Sequence, residues 1–354
     1  MEIGIIGAGW WAARAYLPLL AADDRVTAIS VCRPDRAGLD VLANAYPDAH
    51  PFTDAEEMLA RRPLAGVIVS SPHPLHAEHA LMGLVRGIPV LVEKPMATTP
   101  ADARRVATAA EGGTVLVAYG WNFGPVALAA RRLVAEGRIG ELVHGTCQMA
   151  TSTRELFAGE DHPTTAEHLF RPPKSTWADP ENAGGYGWGQ LTHALGLLFL
   201  LTDRAPAGAF ARMRLSEAGV DHSVAAVIGM SNGATVAVSG TALLPRGRRR
   251  QIDIRLFGTE GALLLDVERD RLEVSRFDGA THVEALAQGA GDYGVAGLID
   301  TFLEICAGRP AVNPADARIG LRAVEAVDAI HRSARSGRFE AVWRPRGPKR
   351  RQRA

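Results

Sequence analysis

The segment Gly7-Ala8-Gly9-Trp10-Trp11-Ala12 follows the apolar run Ile3–Ile6 and opens a stretch with helical spacing. It has the G-x-G-x-x-A form of a dinucleotide fingerprint, set between a strand and a helix. The first glycine permits the tight turn, the second lets a pyrophosphate approach the backbone, and the small last residue lets helix pack on strand. The helix N-terminus then offers free N–H groups and the positive end of its dipole to phosphate. The same spacing also occurs in glycine-rich turns that bind nothing. Its place at the head of an alternating strand–helix pattern favours a cofactor site, with Gly7, Gly9, Trp10, Trp11 and Ala12 as candidate binding residues.

That pattern fills residues 1–120. Apolar runs at Ile3–Ile6, Val26–Cys32, Gly66–Ser70, Val90–Val92 and Val115–Tyr119 alternate with helical spacing at Ala12–Ala21, Arg36–Ala45, Ala55–Ala60, Ala77–Arg86 and Ala101–Ala110. Continuous apolar strands separated by helices are what a parallel sheet covered on both faces requires. Residues 1–120 therefore read as a Rossmann domain, a doubly wound parallel sheet.

Residues 121–343 read as an α+β domain with an open, mostly antiparallel sheet. A helix at Pro125–Glu136 leads to a strand at Glu141–Thr151, a long irregular stretch from Ser152 to Asn182, and an apolar helix at Gln190–Leu201. Strand-like runs follow at Gly208–Leu215, Ser223–Gly229, Thr235–Leu243, Gln251–Phe257 and Ala262–Val267. The turn Ser231-Asn232-Gly233 is hairpin chemistry and points to antiparallel pairing. Two helices, Val295–Ala307 and Pro314–Ser336, close the domain, the second with Asn313 as expected cap and Pro314 at its first position. Residues 344–354 are basic and are expected to form a flexible tail.

The 354 residues carry a formal net charge of zero, which argues against nucleic acid as the main ligand. Three isolated cysteines, Cys32, Cys147 and Cys306, indicate no disulfide framework. Neither a leader pattern nor an apolar run long enough to span a membrane is evident, so a cytoplasmic protein is expected. Of 39 Lys and Arg residues only Lys94, Lys174 and Lys349 are lysine, and such survivors in an arginine-biased chain are candidates for specific work.

The end of the second strand bears on the choice of cofactor. An NAD site commonly places a carboxylate there for the ribose 2′-hydroxyl. Arg33 occupies that place, and a guanidinium suits a 2′-phosphate, so NADP(H) is favoured with NAD(H) possible. The alternative is that Arg33 solvates a loop while Asp35 begins the next helix. His73, His76 and His79 recur at three-residue intervals, but no cysteine or carboxylate cluster backs them and no metal is expected.

The triplet Glu93-Lys94-Pro95 after the Val90–Val92 run resembles the signature of the Gfo/Idh/MocA oxidoreductases. Ser71-Pro72-His73-Pro74-Leu75-His76-Ala77, Pro95-Met96-Ala97 and Arg138-Ile139-Gly140-Glu141-Leu142 are similar to the same family, so the likeness extends along most of the chain. The resemblance implies that Lys94 contacts both nicotinamide ribose and substrate hydroxyl, that Ser71, His76 and Glu93 line the cofactor pocket, and that the bond before Pro95 is cis. An ammonium there would also stabilise charge on a carbinol oxygen.

A second likeness covers Ala183-Gly184-Gly185-Tyr186-Gly187-Trp188-Gly189-Gln190-Leu191-Thr192-His193, with His193 on the family's acid/base histidine. The family's Asp four residues earlier is Gly189 here. Lys94 and His193 could work without that carboxylate, Asp179 or Glu181 could replace it, or the chemistry could have changed. Asn122, Lys174, Trp177, Tyr186 and Gln190 are candidate substrate contacts. The implied activity is hydride transfer between nicotinamide and a hydroxyl or keto carbon of a sugar, cyclitol or related polyol. Alternatives are a redox-assisted glycoside hydrolase or lyase that regenerates its cofactor, and a non-catalytic nicotinamide-binding regulator. The resemblance also implies a homodimer or homotetramer built through the second domain.

Overall fold

The computed structural model describes residues 1–343, so the expected tail at 344–354 lies outside the described residues. Six strands form the first sheet: β1 (Glu2–Ile6), β2 (Ala28–Cys32), β3 (His50–Phe52), β4 (Leu64–Val69), β5 (Val90–Val92) and β6 (Val115–Val117). All are parallel, in the order β3-β2-β1-β4-β5-β6. The order reverses between β1 and β4, and a crevice opens there at the carboxyl ends of the strands, where ligands bind in open α/β sheets. Gly7 follows β1, Ser71 follows β4 and Lys94 follows β5, so the connectivity alone brings three distant motifs to one edge. β3 is absent from the apolar pattern because it is short and contains Pro51; proline is tolerated there because the strand is at the edge.

The second sheet has nine strands: β7 (Leu142–Ala150), β8 (Pro206–Leu215), β9 (Asp221–Met230), β10 (Thr235–Thr241), β11 (Gln251–Gly258), β12 (Gly261–Asp266), β13 (Arg271–Arg276), β14 (Thr281–Val283) and β15 (Glu340–Ala341). Their order is β14-β13-β12-β11-β7-β10-β9-β8-β15, with only the β7–β10 pair parallel. The Ser231-Asn232-Gly233 turn joins antiparallel β9 and β10 as its chemistry suggests. β13, β14 and β15 lie outside the strand-like runs, being short, polar and largely at the sheet margins.

One face of this sheet packs on two helices. Thr192–Thr202 is buried on every side, as an apolar helix at the centre of a domain must be. Ala317–Ser336 starts three residues later than its sequence suggests. Asp316, not Asn313, caps it: its carboxylate accepts the Ile319 N–H at 3.0 Å, while Asn313 instead accepts the Ala315 N–H in a turn. The chain returns to the first sheet here. The Val117 N–H donates to the Ala315 carbonyl at 2.8 Å, and the Asn313 amide donates to the Val115 carbonyl at 2.8 Å. Among the described residues no helix is long and apolar enough to cross a membrane.

Candidate active site

A cavity of about 910 Å³ opens beside the reversal point, between the first sheet and the second layer. The fingerprint turn forms one wall. Gly7 has φ +83°, and a Cβ there would lie 2.3 Å from the Ser71 backbone nitrogen. A Cβ on Gly9 would meet nothing nearer than 3.9 Å, so that glycine leaves open space in front of the helix. Ala12 is fully buried beneath it. The first helix begins as a π-helical turn, Ala12–Tyr16, before continuing as Leu17–Ala21; such turns are rare and frequent at functional sites. The glycine cradle and the free helix start fit a dinucleotide pyrophosphate.

Arg33 lines the same cavity. Its guanidinium pairs with Asp35 at 2.5 Å, donates to the Ala8 carbonyl at 3.1 Å and lies 4.2 Å over the Phe170 ring. Asp35 meanwhile caps the Arg36–Ala45 helix through the Gly38 N–H at 2.8 Å. Both parts of the Arg33 alternative are therefore present, a cavity cation and a loop pair.

Glu93 and Lys94 directly follow β5 and are buried, and the Lys94–Pro95 bond is cis. Glu93 accepts from the Tyr16 hydroxyl and, at 3.1 Å, from the Lys94 N–H; burial raises its carboxyl above the ordinary value. The Lys94 ammonium donates to the Gly189 carbonyl at 2.7 Å and sits 5.1 Å from the centre of the Trp177 ring. Burial lowers its pKa to about 8, opposed by the Glu93 charge, so a neutral amine is accessible near neutrality.

His76 sits between the Pro95 and Ser71 carbonyls at 2.7 and 2.6 Å, beside His79, whose ring meets the Ser71 hydroxyl at 2.9 Å. Two facing carbonyls favour a charged ring, but burial dominates and pushes His76 down to about 4. His73 instead reaches across to the Ala183 carbonyl at 3.1 Å. The three rings thus tie the β4 and β5 ends to their surroundings.

His193 stands opposite on the apolar helix, walled by Trp121, Tyr293 and Tyr119 with ring centroids 5.1, 5.4 and 6.1 Å away. Burial, reinforced by the Lys94 charge, holds the imidazole neutral far below its usual pKa. Its Nδ1 has no partner among the described residues. An unpartnered buried imidazole nitrogen near an amine of lowered pKa can take part in hydrogen bonding and proton exchange at one hydroxyl.

The missing carboxylate has a structural counterpart. A Cβ on Gly189 would sit 2.9 Å from the Trp177 ring and 3.3 Å from Phe157, so aromatic carbon fills the space a longer side chain would need. Neither Asp179 nor Glu181 reaches the cavity: Asp179 caps the Pro180–Asn182 turn, and Glu181 points to solvent. Gly189 and Gln190 lie in a second π-helical turn, Gly187–Leu191, which presents the Gly189 carbonyl to Lys94.

Buried Asp221 holds the start of that turn, accepting the Gly187 N–H at 2.8 Å. Its other oxygen and His331 Nε2, 3.7 Å apart, have no hydrogen-bond partner. Burial pushes Asp221 up to about 6 and His331 down to about 4. A carboxyl raised on folding makes stability fall as pH rises from about 4 to about 6, whereas an imidazole lowered on folding makes it rise from about 4 to about 6.5. Each contributes on the order of 3 kcal/mol, and the two act in opposite directions. Asp221→Asn is expected to unmask the histidine, giving stability that rises with pH relative to the parent. His331→Gln should tilt the other way. Urea unfolding at pH 4.5 and 7 checks both, and parallel curves for all three proteins would exclude the pair.

Of the expected substrate contacts, Trp177 and Gln190 line the cavity. Asn122 does not: it is fully buried and its amide bridges the Gly196 and Pro314 carbonyls at 3.3 and 3.0 Å, while the neighbouring Trp121 faces the cavity. Tyr186 is also fully buried, donating to the Met149 carbonyl at 3.0 Å. Lys174 is exposed and lies 3.7 Å from Asp161. Trp10 donates its indole N–H to His168 at 2.7 Å, which fixes part of the long Ser152–Asn182 stretch over the fingerprint. The sequence reading missed Tyr293 and Arg250, which lie in polar or glycine-rich segments with no periodicity to mark them.

Two family models match the chain. Residues 1–121 match one described as oxidoreductase family, NAD-binding Rossmann fold, and residues 127–264 match the GFO/IDH/MocA C-terminal domain. A 1-carboxy-3-chloro-3,4-dihydroxycyclohexa-1,5-diene dehydrogenase of Comamonas testosteroni is 28% identical over 57% of this chain and 47% of its own length. An inositol 2-dehydrogenase of Pseudomonas fluorescens is 37% identical over 33% of this chain and 35% of its own. The chain thus matches less than half the length of these relatives. A solved levoglucosan dehydrogenase, in complex with NADH and levoglucosan, superposes with TM-score 0.74 and 20% identity over 97% of this chain and 100% of that one, a likeness of fold.

Proposed function

The chain belongs to the Gfo/Idh/MocA oxidoreductases, and from that membership we propose that it is an NAD(P)-dependent dehydrogenase or reductase of a sugar, cyclitol or related polyol. The single observation that carries this reading is the pairing of Lys94 and His193 across the cavity that the fingerprint turn also lines. Residues 1–120 would hold the cofactor and 121–343 the substrate. Gly7, Gly9, Trp10, Trp11, Ser71 and Glu93 would seat the dinucleotide, whose nicotinamide accepts or supplies the hydride when bound. Lys94 would take the hydroxyl proton in the oxidative direction and return it in the reductive one. Neutral His193 would accept a hydrogen bond from the same hydroxyl and orient it, Trp177 would offer an apolar platform to a ring, and the aromatic walls would exclude water.

The test is a panel of sugars and cyclitols offered to the enzyme in both directions with both cofactors, followed by nicotinamide absorbance. No turnover of any member would sink the reading. Glycoside cleavage without net cofactor consumption would replace it with a redox-assisted hydrolase or lyase.

NADP(H) is the favoured cofactor, with NAD(H) accepted, because a half-exposed pair such as Arg33–Asp35 is weak and a 2′-phosphate can compete for the guanidinium. Arg33→Ala should lower the NADP-to-NAD preference in kcat/KM about 10- to 100-fold, the worth of a charge-assisted hydrogen bond. An unmoved preference would remove Arg33 from selection. Phe210, Val227 and Phe257 on the exposed face of the second sheet support a homodimer or homotetramer, readable by light scattering, in a cytoplasmic protein.

A further inference from the structure

The charges lining the cavity do not balance. Its two carboxylates are both engaged, Asp35 with Arg33 and Glu93 with Tyr16 and the Lys94 N–H. The segment between β10 and β11 carries four arginines, Arg246, Arg248, Arg249 and Arg250. Arg246 pairs with Glu155, and Arg249 with Asp270 and Asp292. Arg250 also lines the cavity, yet it forms no hydrogen bond or ion pair among the described residues. It immediately precedes β11, whose Gln251 pairs with Ala150 at the end of β7, so it enters the cavity from the second sheet, on the side of Thr153 and Leu156, whereas the fingerprint turn belongs to the first sheet.

We propose that Arg250 is a specificity-determining residue, and that the substrate is a hydroxylated ring bearing an oxyanion, either carboxylate or phosphate, which seats on its guanidinium. This rests on the dehydrogenase reading and narrows its substrate class. A guanidinium presents two parallel N–H donors that match either oxyanion, and its charge opposes that of the Lys94 ammonium in the same cavity. An anionic substrate removes that repulsion and is drawn in by the same field. The ring hydroxyl then faces Lys94 and His193 while Trp177 lies against the ring.

The test compares D-glucuronate and D-glucose 6-phosphate with D-glucose and myo-inositol, in the parent and in Arg250→Gln. The residue is exposed, so the variant is expected to fold. The parent should prefer at least one anion over both neutral compounds, and the variant should lose at least tenfold of that preference in kcat/KM, the effect of one charge-assisted contact. Which anion is preferred distinguishes carboxylate from phosphate. Preference for a neutral compound, or a smaller loss, overturns the proposal. If nothing is turned over, the dehydrogenase reading has failed separately, and calorimetry decides the charge claim. Glucuronate or glucose 6-phosphate binding the parent at least tenfold more tightly than the variant supports it; absent or equal binding overturns it. A supporting difference should shrink in 0.5 M salt, where the Debye length falls to a few Å.

Discussion

Lys94→Met is expected to lower kcat by about 10²- to 10⁴-fold, the range for loss of a positioned proton carrier or charge stabiliser. Methionine keeps most of the volume of this buried side chain, so the fold should survive. What disappears is the amine, its 2.7 Å bond to the Gly189 carbonyl and its contact with Trp177. Nucleotide affinity, read by quenching of Trp10 and Trp11 fluorescence, should change far less than kcat. The pH profile carries the signature. Burial lowers the amine to about 8, so oxidation, which needs it neutral, should gain rate up to about pH 8 and then level. Reduction, which needs the ammonium, should lose rate over the same interval. His193 stays neutral throughout and contributes no inflection. A variant within about tenfold of the parent kcat would remove Lys94 from the chemistry.

The second large effect is on Gly7. Gly7→Ala is expected to destabilise the fold by roughly 3 kcal/mol or more and to abolish nucleotide binding, because two costs add. An L-residue at φ +83° is strained, and its Cβ would meet Ser71 and Ser70 backbone atoms at 2.3 to 2.6 Å, which cannot swing aside as a side chain would. β1 and β4 would have to part at the reversal point. Gly9→Ala is the control. Its Cβ enters open space, so Tm should hold while nucleotide affinity falls, since that space is where a pyrophosphate approaches. Equal Tm values for the parent and Gly7→Ala would refute the steric account.

These predictions fall on residues whose roles are written locally. Gly7, Gly9, Glu93 and Lys94 stand just past strand ends and Ala12 in the helix after the first, and a strand followed by a turn and helix announces itself within a dozen residues. Parallel connection then forces those ends to one edge, so half of the cavity was legible in the order of the motifs. His193, singled out by its likeness to the family's histidine segment, lines the same cavity. Asn122 was not legible, because within one four-residue turn Trp121 faces the cavity while the Asn122 amide turns the other way, onto the Gly196 and Pro314 carbonyls. Tyr186 and Lys174 failed for a related reason: a polar atom in a candidate segment satisfies itself wherever packing puts it, on a backbone carbonyl or in solvent.

By itself, then, the amino-acid order determined the parallel sheet, the dinucleotide turn and the lysine at its edge, since each depends on neighbours a few positions away. Only the tertiary structure decided that Trp177 fills the space beside Gly189, that Tyr293 and Trp121 wall in His193, and that Arg250 enters the cavity unpaired. Those residues come from segments without periodicity, and they meet through packing across tens to hundreds of chain positions. Such contacts are chosen by the volume left open and the charge left unmatched once both layers have closed.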